Sequence, residues 1–453
     1  MVSVNPATGE VIREYKEQSP TEVEAIVESA QAAFHGWSKT TVADRARALQ
    51  RLAAALEDGV DEYASLISTE MGKRIDESRG EIRKCAWLAR HVAEEGPEAL
   101  SFHHVDTEAE ESYLRFDPLG VLLGVMPWNF PFWQLFRFAI PAIMAGNAIL
   151  LKHAPNVFGC ALAIEELMVE AGLPEHLLQA LIVGEERVDE LLKRPEIRGV
   201  SVTGSDEAGS AVASRAGREI KKSVLELGGS DPFIVFGDAD IEHAVNAAVA
   251  SRMINAGQSC IAAKRFLVAE RVFNAFADSF SEQFTNLRVG HPLDMETQVA
   301  PLARDDLLDN LHRQVAESRS QGAKLCCGGE QYESSGFYYR PTVLREVTPE
   351  MPVFQEETFG PVAPIIPFGD LDEALRLANM TSYGLGASIW TADRERAGEA
   401  AARLEAGAVF VNEIVKSDPR LPFGGVKRSG YGRELSHFGL YEFTNIKSVW
   451  IAG

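Results

Sequence analysis

The sequence predicts an α/β protein of more than one domain, with parallel sheets covered by helices on both faces. Two observations carry that prediction. From residue 121 onward, short apolar runs of strand character alternate with helical patterns, and strand–helix–strand crossovers bury a parallel sheet on both sides. The chain also has 453 residues, more than one hydrophobic core supports. No fixed-period repeat or low-complexity tether interrupts it, so the domains are expected to pack tightly.

The elements follow in order. Ser19-Pro20-Thr21-Glu22 offers a capping Ser, a Pro in the first turn and a Glu completing a capping box, which predicts a helix over 20–36. Amphipathic patterns continue over 41–57, 60–71 and 77–96, and a polar stretch from His103 to Ser112 ends them. Strand-like runs come next at 113–116 and 121–126. The alternating region offers strands at 148–151, 180–183, 199–202, 232–235 and 266–268. Helices are expected between them, near 131–145, 157–171, 186–193, 206–217 and 239–254. A second alternating region runs from about 270 to 413.

The net charge of −22 repels phosphate backbones and anionic lipid, so neither nucleic acid nor a membrane is expected as a partner. No apolar run reaches the roughly 18 residues that a spanning helix needs. The first residues lack a basic start with an apolar run, so no secretory signal is expected. The cysteines are odd in number and scattered, at 85, 160, 260, 326 and 327. That pattern suits a reducing compartment and predicts a cytoplasmic protein.

Four segments carry candidate chemistry. Asn255-Ala256-Gly257-Gln258-Ser259-Cys260 is a polar, Gly-containing loop between a helix and a strand. Such a loop presents a nucleophilic thiol to a cleft, although a free Cys also serves as a small buried hydrophobe. Glu226 stands between two leucines at the end of an apolar run. Desolvation there raises a carboxyl toward the range of a general base; a salt-bridged Glu at a strand end is the alternative. Asn129 lies in Pro127-Trp128-Asn129-Phe130-Pro131. Its stiffened setting suits an amide that donates to an oxyanion, or a turn. Gly204-Ser205 follows a strand and opens a helix, where free N–H groups bind phosphate, and where Asp206 and Glu207 serve equally as first-turn charges.

Together these segments resemble the aldehyde dehydrogenase superfamily. The matches are Pro127 to Pro131, Leu151-Lys152, Thr203-Gly204-Ser205, Leu225 to Gly229, Gly257 to Cys260, Glu356 to Pro361 and Pro422 to Lys427. The resemblance runs from Asn5 nearly to the end. It implies a Rossmann-like cofactor domain at 1–98 and 121–226, an α/β catalytic domain at 227–429, and a small β oligomerisation element from 99–120 and 430–453. It further implies a homodimer or homotetramer acting on a small-molecule aldehyde with NAD or NADP. By the same resemblance Cys260 forms a thioester, Asn129 holds the oxyanion and Glu226 activates water. Trp128, Lys152, Gly204, Ser205, Leu227, Glu357 and Phe359 are then cofactor contacts.

The short N-terminus and Lys152-His153-Ala154-Pro155-Asn156 are similar to the short succinate-semialdehyde dehydrogenase class. Pro155 stands where NAD-selective relatives commonly carry a Glu that repels a 2′-phosphate, so NADP is expected to be accepted. His153 is expected to face solvent, or to lend charge near that phosphate. Arg137, eight residues after Asn129, matches a carboxylate-binding Arg of the semialdehyde enzymes; an ordinary surface or interface Arg is the alternative. A second Arg of that clamp is replaced by Ile254, with Lys416 or Arg420 as possible substitutes. Phe132, Trp133 and Phe136 favour neutral aldehydes instead. Glu226 argues against a CoA-acylating enzyme, and Lys152 with Glu357 against a nucleotide-independent esterase.

Overall fold

A computed structural model describes residues 1–453. The N-terminal helices are Pro20–Trp37, Val42–Asp58, Val60–Met71 and Ile75–Ala99. The first begins as its sequence predicts. Ser19 Oγ accepts from the Glu22 N–H at 3.3 Å, and the Glu22 carboxylate accepts from the Ser19 N–H at 2.7 Å. The longest helix buries Ile75, Ile82, Cys85, Leu88, Ala89 and Val92, a 3–4 residue spacing that makes one apolar stripe. It packs on the helices Val42–Asp58 and Trp133–Ala145. The latter is buried along its whole length. Its first N–H groups, which lack an intrahelical partner, are met from outside: Phe132 and Trp133 donate to Glu81 Oε1 at 2.9 and 3.0 Å. A carboxylate there satisfies orphan donors and matches the helix dipole.

Two large sheets follow. The six-stranded sheet runs Gly430–Tyr431, Lys222–Glu226, Ile197–Thr203, Val121–Met126, Ala148–His153, Leu178–Ala180. Only the Gly430–Tyr431 pairing is antiparallel. The chain enters at Val121–Met126, adds two strands on one side, then crosses to the other. That reversal makes a switch point, the place in an open α/β sheet where ligands bind beyond the carboxyl ends of the strands. The seven-stranded sheet runs Lys324–Cys327, Thr342–Arg345, Val362–Phe368, Arg265–Ala269, Pro232–Val235, Gly386–Trp390, Ala408–Val411. It is parallel except for its first pair. Its strands are apolar on both faces: Phe233, Val235, Phe266 and Val268 enter one core, Ile234, Leu267, Ile366 and Ile389 the other. Alternation of side chains along a strand produces that division.

Two smaller antiparallel ribbons complete the fold. Thr444–Ile451 pairs along the whole of Glu111–Pro118, which also holds His103–His104. Val2–Val4 pairs with Val11–Glu14. The strand expected at 180–183 lies instead at Leu178–Ala180. Leu181 and Val183 are fully buried without belonging to it, so apolarity marked the core there rather than the ladder. No helix is long and apolar enough to cross a membrane.

Candidate active site

The helix Ile241–Met253 ends where the backbone turns through Asn255, Ala256 and Gly257 at φ of 51°, 52° and 81°. Two of these residues have a Cβ, so the packing around them must hold the left-handed turn. Asn255 N–H donates to Glu77 Oε1 at 2.9 Å, and its amide donates to the Asn129 carbonyl at 2.9 Å. At Gly257 a Cβ would lie 2.2 Å from the Gly360 carbonyl oxygen. Beyond the turn, Lys264 Nζ donates to the carbonyls of Ser259, Cys260 and Ala262 at 2.9, 2.8 and 3.2 Å. Gly229 abuts from the other side, where a Cβ would come within 2.6 Å of the Cys260 oxygen. The loop carrying Cys260 is therefore held on several sides.

Cys260 is half-buried and unbridged. Burial pushes its thiol up to about 12, against the pull of Arg137 and Lys264. It borders a cavity of about 250 Å³ with Lys84, Phe130, Trp133, Arg137, Ser417 and Phe423. Asn129 is buried at 5% exposure, and its Nδ2 donates to the Gln258 carbonyl at 3.1 Å. An amide nitrogen carries two N–H groups, so a second donor remains beside the Cys260 loop.

Glu226 ends its strand at 2% exposure, and neither carboxylate oxygen has a hydrogen-bond partner. Burial raises its carboxyl well above the ordinary value; Arg137 opposes and Glu434 reinforces the rise. It faces Arg137, whose Nη2 is 3.9 Å from Glu226 Oε2, and makes no hydrogen bond to Cys260. Arg137 itself is no surface or interface residue. Its Nε is bonded to Glu434, its guanidinium lies 4.5 Å from the Phe423 ring centroid, and its side chain is 2% exposed. It borders the cavity with one face already neutralised. Of the substitutes for the missing second Arg, Lys416 borders the cavity but pairs with Glu413 at 2.9 Å, and Arg420 pairs with Asp418 at 2.7 Å.

The remaining candidates gather at the carboxyl ends of the six-stranded sheet and the facing edge of the second. Lys152 is buried at 4% exposure without an ion-pair partner. Pro155 opens the short turn Pro155–Val157. Gly204 has no atom within 4 Å of where a Cβ would stand. Ser205 caps the helix Asp206–Arg218 through the Ala208 N–H at 3.2 Å, and Leu227 packs against that helix at Gly209. Trp128 meets Phe359 edge-on with centroids 5.8 Å apart. Glu357 accepts from the Gly229 N–H at 3.0 Å and lies 3.4 Å from Lys264 Nζ.

Residues 1–449 match the aldehyde dehydrogenase family. The chain belongs to that family. It is an oxidoreductase acting on aldehydes. A succinate semialdehyde dehydrogenase, NAD(P)+, of Escherichia coli strain K12 is 47% identical over 99% of this chain and 97% of its own length. A probable succinate-semialdehyde dehydrogenase, NADP(+), of Synechocystis is 47% identical over the whole of both chains. The crystal structure of succinic semialdehyde dehydrogenase from Streptococcus pyogenes with NADP+ superposes at TM-score 0.97, with 34% identity and full coverage of both chains.

Two expectations from the sequence fail in this aldehyde dehydrogenase: Phe132 and Phe136 are fully buried core residues that do not border the Cys260 cavity, and His153 is misplaced as well. His153 neither faces solvent nor lends charge. It is fully buried, with Nε2 2.9 Å from the Pro131 carbonyl and Nδ1 3.1 Å from the Ala154 N–H. Burial lowers it to about 4, so it is a neutral brace between the Trp128–Pro131 segment and the sheet. Other site residues went unrecognised in the sequence. Glu77, Glu81 and Lys84 occupy i, i+4 and i+7 of the long helix and all border the cavity. A polar row on an otherwise core-facing helix was the available signal. Lys264 was missed because nothing local reveals that its ammonium closes the Cys260 loop.

Proposed function

We propose that this enzyme oxidises succinate semialdehyde, or a closely similar carboxylated aldehyde, to the carboxylic acid through a thioester on Cys260. The observation that carries this reading is the shared cavity. A thiol on a braced loop meets aromatic walls at Phe130, Trp133 and Phe423 and cations at Lys84 and Arg137. The succinate-semialdehyde names of the relatives support the same substrate class.

The residues present fit a dinucleotide. Gly204 leaves open space at a helix start, which suits a pyrophosphate, and Lys152 is a buried cation that Glu185 and Glu186 influence without pairing with it. Gly204 and Ser205 would hold the pyrophosphate, Lys152 the adenine ribose and Glu357 the nicotinamide ribose. Trp128, Leu227 and Phe359 would border the cofactor. Pro155 presents no carboxylate against a 2′-phosphate, so either NAD or NADP is admitted, in keeping with the NAD(P)+ and NADP+ of the relatives. When bound, the nicotinamide supplies the hydride acceptor.

The chain's own groups do the rest. The Cys260 thiol gives its proton to Glu226, which passes it to water, and the sulfur bonds to the aldehyde carbon. The free Asn129 amide N–H and the Cys260 N–H hold the oxygen as it gains charge. Loss of hydride leaves a thioester on Cys260. Glu226, turned from Arg137 toward the thioester, takes a proton from attacking water. The carbon–sulfur bond then breaks, the acid leaves and the Cys260 thiolate takes the proton that Glu226 holds.

The division of labour follows the three-part scheme: cofactor binding by 1–98 and 121–226, catalysis by 227–429, assembly by 99–120 and 430–453. Thr444–Ile451 is an edge strand with Ile446, Trp450 and Ile451 exposed. Such an edge is a template for pairing with a second copy, which supports a homodimer or homotetramer. Five free cysteines support a cytoplasmic setting. The test is kcat/KM for succinate semialdehyde against hexanal, each with NAD and NADP. A strong preference for the semialdehyde is expected. A preference for hexanal keeps aldehyde oxidation and discards the carboxylated substrate.

A further inference from the structure

We infer that Lys84, on the long N-terminal helix, is the cation that anchors the distal carboxylate of the substrate. The inference rests on the carboxylated-aldehyde reading above. Three cationic side chains border the cavity that contains Cys260: Lys84, Arg137 and Lys416. Arg137 is held by Glu434 and lies near Glu226, and Lys416 is bound to Glu413. Lys84 alone has no carboxylate within ion-pair distance. Its Nζ donates to Ser417 Oγ at 2.7 Å and sits 4.3 Å from the Trp133 ring centroid. An ammonium has three donors, so Ser417 leaves two N–H groups for an incoming anion. Trp133 and Ser417 fix the head of an otherwise flexible side chain, which lowers the ordering cost of binding.

The surroundings make the anchor sensitive to pH. Burial first, then Arg137 on the neighbouring helix, lowers Lys84 to about 8. Cys85 and Glu81 on its own helix, and Asp418 on the loop that carries Ser417, oppose the shift. Asp418 is already paired with Arg420 and Glu81 with Lys73, so neither takes the place of a substrate carboxylate. Lys84 therefore holds its charge below about pH 8 and loses it above. The discrimination between a carboxylated and a neutral aldehyde falls in the same window.

The test compares kcat/KM for succinate semialdehyde and for butanal, which share a four-carbon chain. Wild type, Lys84→Met, Lys84→Arg and Arg137→Leu are measured below and above about pH 8. Using the ratio cancels the titration of Cys260, which both aldehydes meet. Lys84→Met is expected to lower the ratio about 10- to 100-fold, the worth of a charged hydrogen bond, and Lys84→Arg to recover most of it. The wild-type ratio is expected to fall as pH rises past about 8. Equal losses on both aldehydes would make Lys84 a structural residue and overturn the proposal. So would a ratio that depends on Arg137 alone. A wild-type ratio near one removes the carboxylated substrate itself, and so separates failure of that reading from failure of Lys84.

Discussion

Replacing Arg137 by Met tests the buried charge cluster beside Cys260. The guanidinium, Glu226 and Glu434 are 2%, 2% and 4% exposed, so solvent screens them little. At the 3.9 Å separation from Glu226, the attraction is about 4 kcal/mol at an effective dielectric of about 20. Breaking a buried pair leaves a charge uncompensated and costs about 3–5 kcal/mol. The cost depends on pH with a definite sign. Burial already raises both carboxyls above their unfolded values, and Arg137 restrains the rise. A raised group contributes stability that is full below the unfolded value of about 4.3 and is lost as pH rises through the folded value. Without Arg137 both folded values climb further, so the variant's deficit grows with pH. Thermal unfolding of wild type, Arg137→Met and Arg137→Met/Glu434→Gln near pH 5 and near pH 8 measures it. The single variant should melt lower, with a wider gap at the higher pH, and the double variant should regain part of the loss. A deficit that is the same at both pH values, or a double variant no better than the single, refutes the cluster's electrostatic role.

Further predictions address the chemistry. Cys260→Ala should abolish aldehyde oxidation while NAD or NADP still raises the melting temperature; retained turnover would remove Cys260 as the nucleophile. Glu226→Gln should give a burst of reduced nicotinamide followed by slow turnover, visible in stopped-flow absorbance, whereas a linear trace of wild-type rate would contradict its role with water. Gly229→Ala presses a methyl against the Cys260 carbonyl at 2.6 Å, and an ångström-scale displacement of the sulfur should lower kcat by about 100-fold; unaltered kcat means the loop adapts. Pro155→Glu should raise KM for NADP about tenfold or more relative to NAD, through repulsion of the 2′-phosphate, and an unchanged ratio places that phosphate elsewhere.

The residues legible in the sequence were those whose signal is local. The cap at Ser19 and Glu22 located the helix Pro20–Trp37 to within a residue. Strand–helix alternation marked the parallel sheets, and contiguous segments such as Leu225 to Gly229 and Gly257 to Cys260 were enough to assign the family. His153 shows the limit: beside Lys152 it looked like a surface group, yet its strand is buried on both faces, and a ring between two loops becomes neutral packing.

What the sequence determined by itself was therefore the α/β class, the order of the elements and the family, because periodicity, capping and short motifs act over a few residues. Only the tertiary structure decided which charges meet. Arg137 finds Glu434 across 297 positions and Lys84 finds Ser417 across 333. Sheet register and helix packing select those partners, and the same burial that brings them together sets the protonation of Cys260, Glu226 and Lys84.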